Sequence, residues 1–453
     1  MTGKNERKLK KWAALFLTAA MALTACGSTA STGSSAASSV QSTSDVSEST
    51  AASDLSENTA ESTEKSSSAE TDSESEVTEA NSASGNNTAS ADGFATTDDV
   101  SDAPEITGVT IESKLVLNYA ECFNVYYCAD GYKILDVKDG AQYLLVPEGK
   151  EAPDDLDSDV IVIHQPLERI YMAATSPMAL FDAIDSLDTI RLSGETANNW
   201  YVQDAVDAMN TGTMIFAGKY SEPDYELLVS ENCDLAVEST MILHAPKVQE
   251  MIEMLDIPVF IDRSSYETQP LGRTEWIKLY GVLTGKEEAA NAFFEKQKES
   301  VAELENYSST GKVAAFFYLT TDGKVVVRSS TDYVPSMIKM AGGVYAFDGV
   351  VDEDGKTSVS MTMESFYEKA RDADYIIYNA SIDSSVKTIE DLIKKDEVLK
   401  EFKAVKNGAC YTTGSSMYQR TDVIANMILD FHKVFTGQDT DQLEFLEKMK
   451  ELE

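Results

Sequence analysis

The chain has 453 residues, with 77 Asp and Glu against 37 Lys and Arg, a formal net charge of −40. So acidic a surface argues against nucleic acid or anionic lipid headgroups as partners, because both are recognised through basic patches. Three histidines and five cysteines, scattered singly, do not make a zinc or catalytic-metal cluster.

The first stretch is an address. Lys4, Arg7, Lys8, Lys10 and Lys11 form a basic region ahead of the apolar run "WAALFLTAAMALTA". The run is too short to span a bilayer comfortably and has the flanks of a secretory signal, expected over residues 1–25. It closes on Leu23-Thr24-Ala25-Cys26. A small residue ahead of a cysteine at this place resembles the lipobox of bacterial lipoproteins, which implies a lipid on Cys26; an ordinary signal peptide containing a cysteine is the alternative. Residues 26–104, rich in Ser, Thr, Ala, Glu and Asp, lack the apolar surface to fold and read as a disordered tether. Its reach is roughly 50 Å, which suits a domain held at the outer face of a Gram-positive cell membrane.

Residues 109–147 alternate apolar and polar positions around "ADG" and "KDG" turns and read as two β-hairpins. Cys122 and Cys128 are expected on one face of a strand, about 20 Å apart and beyond pairing reach. Cys233 and Cys410 read as core residues. An αβ rhythm then starts: strand "RIYMAA", helix "SPMALFDAIDSL" with Ser176 as its cap, strand "IRLSG", helix "NWYVQDAVDAMN", strand "MIFAG", helix "EPDYELLVSE", strand "DLAVEST", helix "APKVQEMIEMLD" and strand "IPVFID". Strands alternating with helices of this length imply parallel pairing.

Gly272–Tyr307 reads as two helices end to end, broken at Thr284-Gly285, with Thr284 and Glu287 fitting a capping box for the second. Ala290, Phe293, Phe294, Val301 and Leu304 form its apolar stripe, and Trp276 in the first helix is expected in the core. The rhythm resumes with strands "KVAAFFYLT" and "GKVVVRSS", helix "DYVPSMIKMAGG", strand "VSMTM", helix "ESFYEKARDA" and strand "DYIIYNA". One or two helices follow in residues 388–408, then strand "ACYTTG" and two closing helices over residues 422–437 and 440–453.

The two halves match locally. "EPDYELLVSENCDLAVEST" parallels "MTMESFYEKARDADYIIYNAS", and Glu226 and Glu364 are equivalent carboxylates near a helix start. A lone carboxylate there is ordinary, since the helix dipole favours it; a matched pair is not.

With these residues the chain resembles the substrate-binding lipoproteins of ABC importers for iron–siderophores, haem and cobalamin. The resemblance runs from about Arg169 to the C-terminus and is carried by "RIYMAATSPMALFDAIDSL", "PDYELLVSENCDLAV", "IPVF", "WIKLYGVLTGKEEAANAFFEK", "MIKMAGG" and "EFKAVKNGACY". It implies an α/β fold of two Rossmann-like lobes bridged by a single long α-helix, to which the N-terminal β-hairpin region is an addition. The boundaries expected are 105–285 for the N-terminal lobe with its hairpins, 286–307 for the connecting helix and 308–453 for the C-terminal lobe. It implies that Glu226 and Glu364 dock on arginines of a permease dimer that works with an ATPase. It implies a monomer with no resident cofactor, taking a small-molecule metal chelate as cargo and meeting the membrane through its lipid.

Ligand contacts are expected at the carboxyl ends of strands, where α/β clefts lie. Those ends carry Thr175, Trp200, Tyr220, Ser239, Arg263 and Tyr266 in the first half, and Arg328, Tyr333, Asn379 and Tyr418 in the second. Arginines suit anionic groups and aromatics suit flat ones. No GxSxG, P-loop or dinucleotide fingerprint is present, and no enzyme activity is expected. The expected function is capture of an iron–siderophore-like chelate and its delivery to an ABC permease. Cobalamin or haem binding, and surface adhesion or sensing, are the alternatives.

Overall fold

The computed structural model describes residues 88–89 and 93–450, apart from 139, 305, 354 and 439. The expected signal, Cys26 and most of the tether lie outside the described residues. No described helix is long and apolar enough to cross a membrane.

Strands β1 (Thr88–Ala89), β2 (Ala95–Thr97), β3 (Ile111–Leu115), β4 (Phe123–Cys128), β5 (Lys133–Val137), β6 (Gln142–Val146) and β7 (Val160–His164) form a seven-stranded sheet in chain order. The expected hairpin region is thus the centre of a larger sheet. Its last pair, β6 with β7, is parallel and the others are antiparallel. β6 is buried on both faces: Tyr143 and Leu145 join one core, Leu144 and Val146 another. Cys122 and Cys128 do not share a face. Cys122 precedes β4 in a bend and enters the first core, whereas Cys128 enters the second. The four described cysteines are free thiols.

The second sheet belongs to the αβ rhythm. The elements are β8 (Ile170–Met172), α1 (Met178–Ala183), β9 (Ile190–Ser193), α2 (Gln203–Thr211), β10 (Ile215–Phe216) and the ribbon of β11 (Gly218–Lys219) with β12 (Glu222–Pro223). α3 (Tyr225–Ser230), β13 (Leu235–Ser239), α4 (Pro246–Glu253) and β14 (Val259–Asp262) complete it. The sheet is parallel throughout, in the order β10-β9-β8-β13-β14. The chain reverses its direction of travel between β8 and β13, which makes the loops after these strands the switch point of the sheet. Ser176 does not cap α1; its hydroxyl is drawn instead to Asp262, at 2.5 Å, across 86 residues of chain.

Two helices follow, α5 (Pro270–Thr284) and α6 (Glu287–Val301), then a 3-10 turn, Ala302–Leu304. Gly285 ends α5 in the left-handed region at φ 71°, which a residue without Cβ adopts at no steric cost. The expected capping box does not form. The Thr284 hydroxyl bonds back to the Tyr280 carbonyl at 2.8 Å, and Glu287 is held by Lys133 of β5. The helices cross tightly at Gly281, where a Cβ would come within 2.7 Å of the Ala290 Cβ.

Every residue of α5 from Pro270 to Leu283 is buried. Trp276 lies against Phe123 of the first sheet (centroids 5.0 Å apart) and Phe260 of the second. Its truncation to alanine would cost about 3–5 kcal/mol. The charged residues of this helix are anchored individually. Glu275 accepts the backbone N–H groups of Asn118, Tyr119 and Ala120, and its other neighbour is Lys278 at 2.7 Å. Glu267, just ahead of the helix, accepts those of Glu121 and Cys122 and the Trp276 indole N–H. Two buried carboxylates therefore clamp one loop of the N-terminal sheet. Gln165 adds a bond to each of the Val282 and Leu283 carbonyls.

The third sheet is built from β15 (Val313–Leu319), β16 (Val325–Arg328), α7 (Tyr333–Met340), β17 (Val344–Tyr345), β18 (Ser358–Met361), α8 (Met363–Ala370) and β19 (Tyr375–Tyr378). α9 (Ile389–Lys395), α10 (Lys403–Lys406), β20 (Cys410–Thr413), α11 (Ile424–Thr436) and β21 (Leu446–Lys448) follow. The order is β18-β16-β15-β19-β20-β21, with β17 also on β15. β15, β19 and β20 run parallel at its centre. The expected helix over residues 440–453 is replaced by β21, antiparallel to β20. The buried Asp430 carboxylate accepts the N–H groups of Glu444, Phe445 and Leu446, which takes them out of any helical ladder.

Candidate functional site: a seam between strand ends

The loops that leave the carboxyl ends of strands in the second and third sheets meet. Thr421, beyond β20, donates its hydroxyl to the Ser176 carbonyl beyond β8 at 2.6 Å. Its own carbonyl takes the Thr274 hydroxyl of α5 at 2.9 Å. Gln419, from the loop that holds Thr421, bonds to Asn199 and Tyr201 in the loop after β9. Strand-end loops are where α/β sheets present ligand-binding groups, so this seam is the candidate site.

On the side of the third sheet the groups converge. The Asn379 amide donates to the Tyr418 hydroxyl at 2.7 Å, and the other polar atom of that amide, in a residue 1% exposed, has no partner. Tyr318 is pushed above the usual tyrosine range by burial and by Tyr418 beside it. Tyr333 is raised likewise, by burial against the opposing field of Arg273 and then by Tyr418. These phenols stay protonated at neutral pH and serve as hydrogen-bonding groups.

Arg328 is not a free cation here. Burial opposes its charge, but Asp332 grips the guanidinium through two bonds, at 2.9 and 2.6 Å, and keeps it firmly protonated. Ser358 takes a third nitrogen at 3.1 Å. Tyr333 is buried beneath Arg273, whose guanidinium carbon sits 4.1 Å from the ring centroid. Arg273 was not among the expected site residues. Its signal was present in "GRTEWIK": charged residues inside a helix with no polar face.

On the side of the second sheet the strand ends are more apolar. Trp200 does not face the seam; it is buried in the core with its indole N–H on the Ser193 hydroxyl at 2.9 Å, and its neighbour Tyr201 is 48% exposed instead. Met241 and Leu243 are exposed beyond β13, and Tyr266, 47% exposed, lies beyond β14. Arg263 stands 5.8 Å from the Tyr266 ring, its Nε sealed without a partner. Ser239 spends its hydroxyl on the Met241 N–H, capping a short 3-10 helix. Thr175 and Tyr220 are half-buried, in the loop after β8 and the turn between β11 and β12. Among the described residues no group of three or more His, Cys, Asp or Glu converges as a metal site.

Glu226 and Glu364 lie outside the seam at matching helix positions. Each is the second residue of its helix, after the caps Asp224 and Thr362, whose side chains accept the Leu227 and Ser365 N–H groups. Both are exposed, and among the described residues neither has an ion-pair partner.

The sequence pattern of the family described as periplasmic binding protein matches residues 157–417, more than half of the chain. The chain belongs to the periplasmic binding protein family. This periplasmic binding protein is 25% identical over 355 residues to an uncharacterized lipoprotein of Methanocaldococcus jannaschii, covering 72% of the chain and 84% of that relative. A second lipoprotein of the same organism is 26% identical over 356 residues, covering 74% and 87%. Among solved structures, a periplasmic binding protein from Veillonella parvula aligns with TM-score 0.49 at 16% identity, covering 60% of this chain and 91% of the other. The periplasmic haem-binding protein HutB of Vibrio cholerae aligns with TM-score 0.48 at 14% identity, covering 58% and 98%.

Proposed function

We propose that this periplasmic binding protein captures a ferric–siderophore-like chelate in the seam between its two strand-end faces and delivers it to the permease dimer of an ABC importer, driven by its ATPase. It acts as a monomer at the outer face of the cell membrane, held there by a lipid on Cys26. The observation that carries this reading is the meeting of strand-end loops from the second and third sheets at Ser176, Asn199, Tyr201, Gln419 and Thr421, with phenols and arginines around them. Nothing in that set is arranged as a nucleophile with its base, so binding without turnover is the chemistry it favours.

Glu226 and Glu364 support the delivery step. Two exposed carboxylates at the same position of two equivalent helices present a repeated charge that a two-fold permease surface with arginines can read, steering encounter as well as register.

The exposed Tyr201, Met241, Leu243 and Tyr266 favour a second reading. An apolar, aromatic face suits a flat macrocycle, so haem or cobalamin is the alternative cargo. Titration of tryptophan fluorescence with ferric hydroxamates, ferric catecholates, haem and corrinoids separates the two. Saturable quenching by a ferric siderophore supports the first reading, quenching by haem or a corrinoid alone supports the second, and no response to any of them refutes both.

A further inference from the structure

We infer that Arg273 is the anchor for an oxyanion carried by the captured chelate, a carboxylate being the group that fits it best. This rests on the capture reading above and adds one contact to it, made by chelates that carry a carboxylate and not by those that lack one.

The case starts from charge matching in the interior. Lys278 is buried against Glu275, Lys133 is held by Glu287, and Arg328 is gripped by Asp332. Arg273, 4% exposed, is the exception: among the described residues no carboxylate pairs with it and no hydrogen bond satisfies it. Its Nε is sealed from solvent without a partner; its two terminal nitrogens, equally unbonded, are not sealed. A guanidinium stripped of water is costly unless it is paired. The Tyr333 ring beneath it, at 4.1 Å, recovers only part of that cost. What the contact does supply is position: it holds the guanidinium over the ring, and a planar fork with free terminal N–H groups matches a carboxylate through two parallel bonds.

The surroundings leave that charge uncancelled. Asp332 is neutralised by Arg328. Glu275, two residues along the same helix, is saturated by three backbone N–H groups and Lys278. Glu267 is saturated by two backbone N–H groups and an indole. Thr274, the next residue of α5, bonds to Thr421 in the seam, which puts Arg273 beside the proposed cleft. Tyr418 lies close enough to perturb Tyr333, and it is bonded to Asn379, whose amide keeps one unpartnered atom. The Tyr418 hydroxyl, accepting from Asn379, keeps its own proton to donate, so a cation and a phenol are the donors offered to a carboxylate, while the free Asn379 oxygen can only accept, as from a hydroxyl of the chelate.

The test compares ferric citrate, which carries carboxylates, with ferrioxamine B, a hydroxamate chelate without one. Fluorescence titrations are run on the full mature chain as wild type, R273Q, R273K and Y418F. Expected are tight wild-type binding of ferric citrate, a loss of about tenfold or more in R273Q with a smaller loss in R273K, and ferrioxamine affinity unchanged within about twofold. Y418F, which leaves the Arg273–Tyr333 contact intact, is expected to weaken ferric citrate alone, and it carries the test if R273Q does not fold. Equal losses for both chelates, or a wild type that binds ferrioxamine and not ferric citrate, overturn the assignment while leaving capture standing. A wild type that binds neither of them, nor any of the ferric siderophores, haem and corrinoids tested above, overturns capture as well. Iron-free citrate and phosphate serve as probes of the anion alone: if either saturates the site with the affinity of ferric citrate, the metal chelate is not what is recognised, and the assignment falls.

Discussion

Gln419 accepts the Tyr201 backbone N–H at 2.9 Å and returns its own side-chain N–H to the Asn199 carbonyl at 2.8 Å. One amide thus spans the seam with both ends used. Q419A should cost about 1–2 kcal/mol of stability, the net worth of two such bonds. The specific readout is hydrogen exchange: the Tyr201 amide should lose protection while amides of the central strands keep theirs. Unchanged exchange at Tyr201 would show that the bridge is not made in solution.

The clamp on the N-terminal sheet should matter more. E275A would leave three backbone N–H groups and the buried Lys278 without their partner. Breaking a buried pair from one side costs about 3–5 kcal/mol. Denaturant unfolding should show the loss, and the K278M/E275L double variant should recover only the share due to the stranded lysine, since leucine accepts none of the three N–H groups.

Glu238 sets a pH dependence. Burial, with both carboxyl oxygens unpartnered, pushes its carboxyl well above the usual range. The folded protein therefore holds a proton that the unfolded chain releases above about pH 4.3. Below that pH the two states are equally protonated and no penalty exists. Above it stability falls as pH rises, by up to about 1.4 kcal/mol per pH unit, until the folded-state carboxyl itself ionises. The difference in unfolding free energy between E238Q and wild type should grow with pH over this window; a constant difference would contradict the burial account.

E226A combined with E364A should abolish uptake of the cargo by cells carrying the importer and leave solution affinity unchanged. Each single variant should reduce uptake in part. Full uptake by the double variant would remove the docking role from both residues.

What could be read from the sequence was what local period encodes. The strand–helix alternation from Ile170 to Asp262 appears as expected, because each element carries its own apolar pattern. What could not be read depends on partners far along the chain. Ser176 looks like a helix cap until Asp262 takes its hydroxyl. Thr284 and Glu287 have capping-box spacing, but Tyr280 and Lys133 claim them. Residues 440–448 carry helical composition, and Asp430 draws their N–H groups away. Trp200 and Arg328 have the right residue types for a cleft; Ser193 and Asp332 hold them as structure. Arg273 drew no expectation, because that it is buried without a carboxylate partner shows only once the fold surrounds it.

Helix α5 is bound by segments as far apart as Asn118 and Thr421. It packs into the core that holds Trp276 and, through Leu271, into the core of the third sheet. A chain emerging from its N-terminus must hold the 118–122 loop unsatisfied until Glu267 and Glu275 arrive, and α5 stays open on one side until Thr421 follows. Such long-separation closures slow assembly and couple it. Heat or denaturant would then take both halves down in a single transition, and a fragment ending at Thr284 would expose Leu271 and Thr274 and fail to stay soluble.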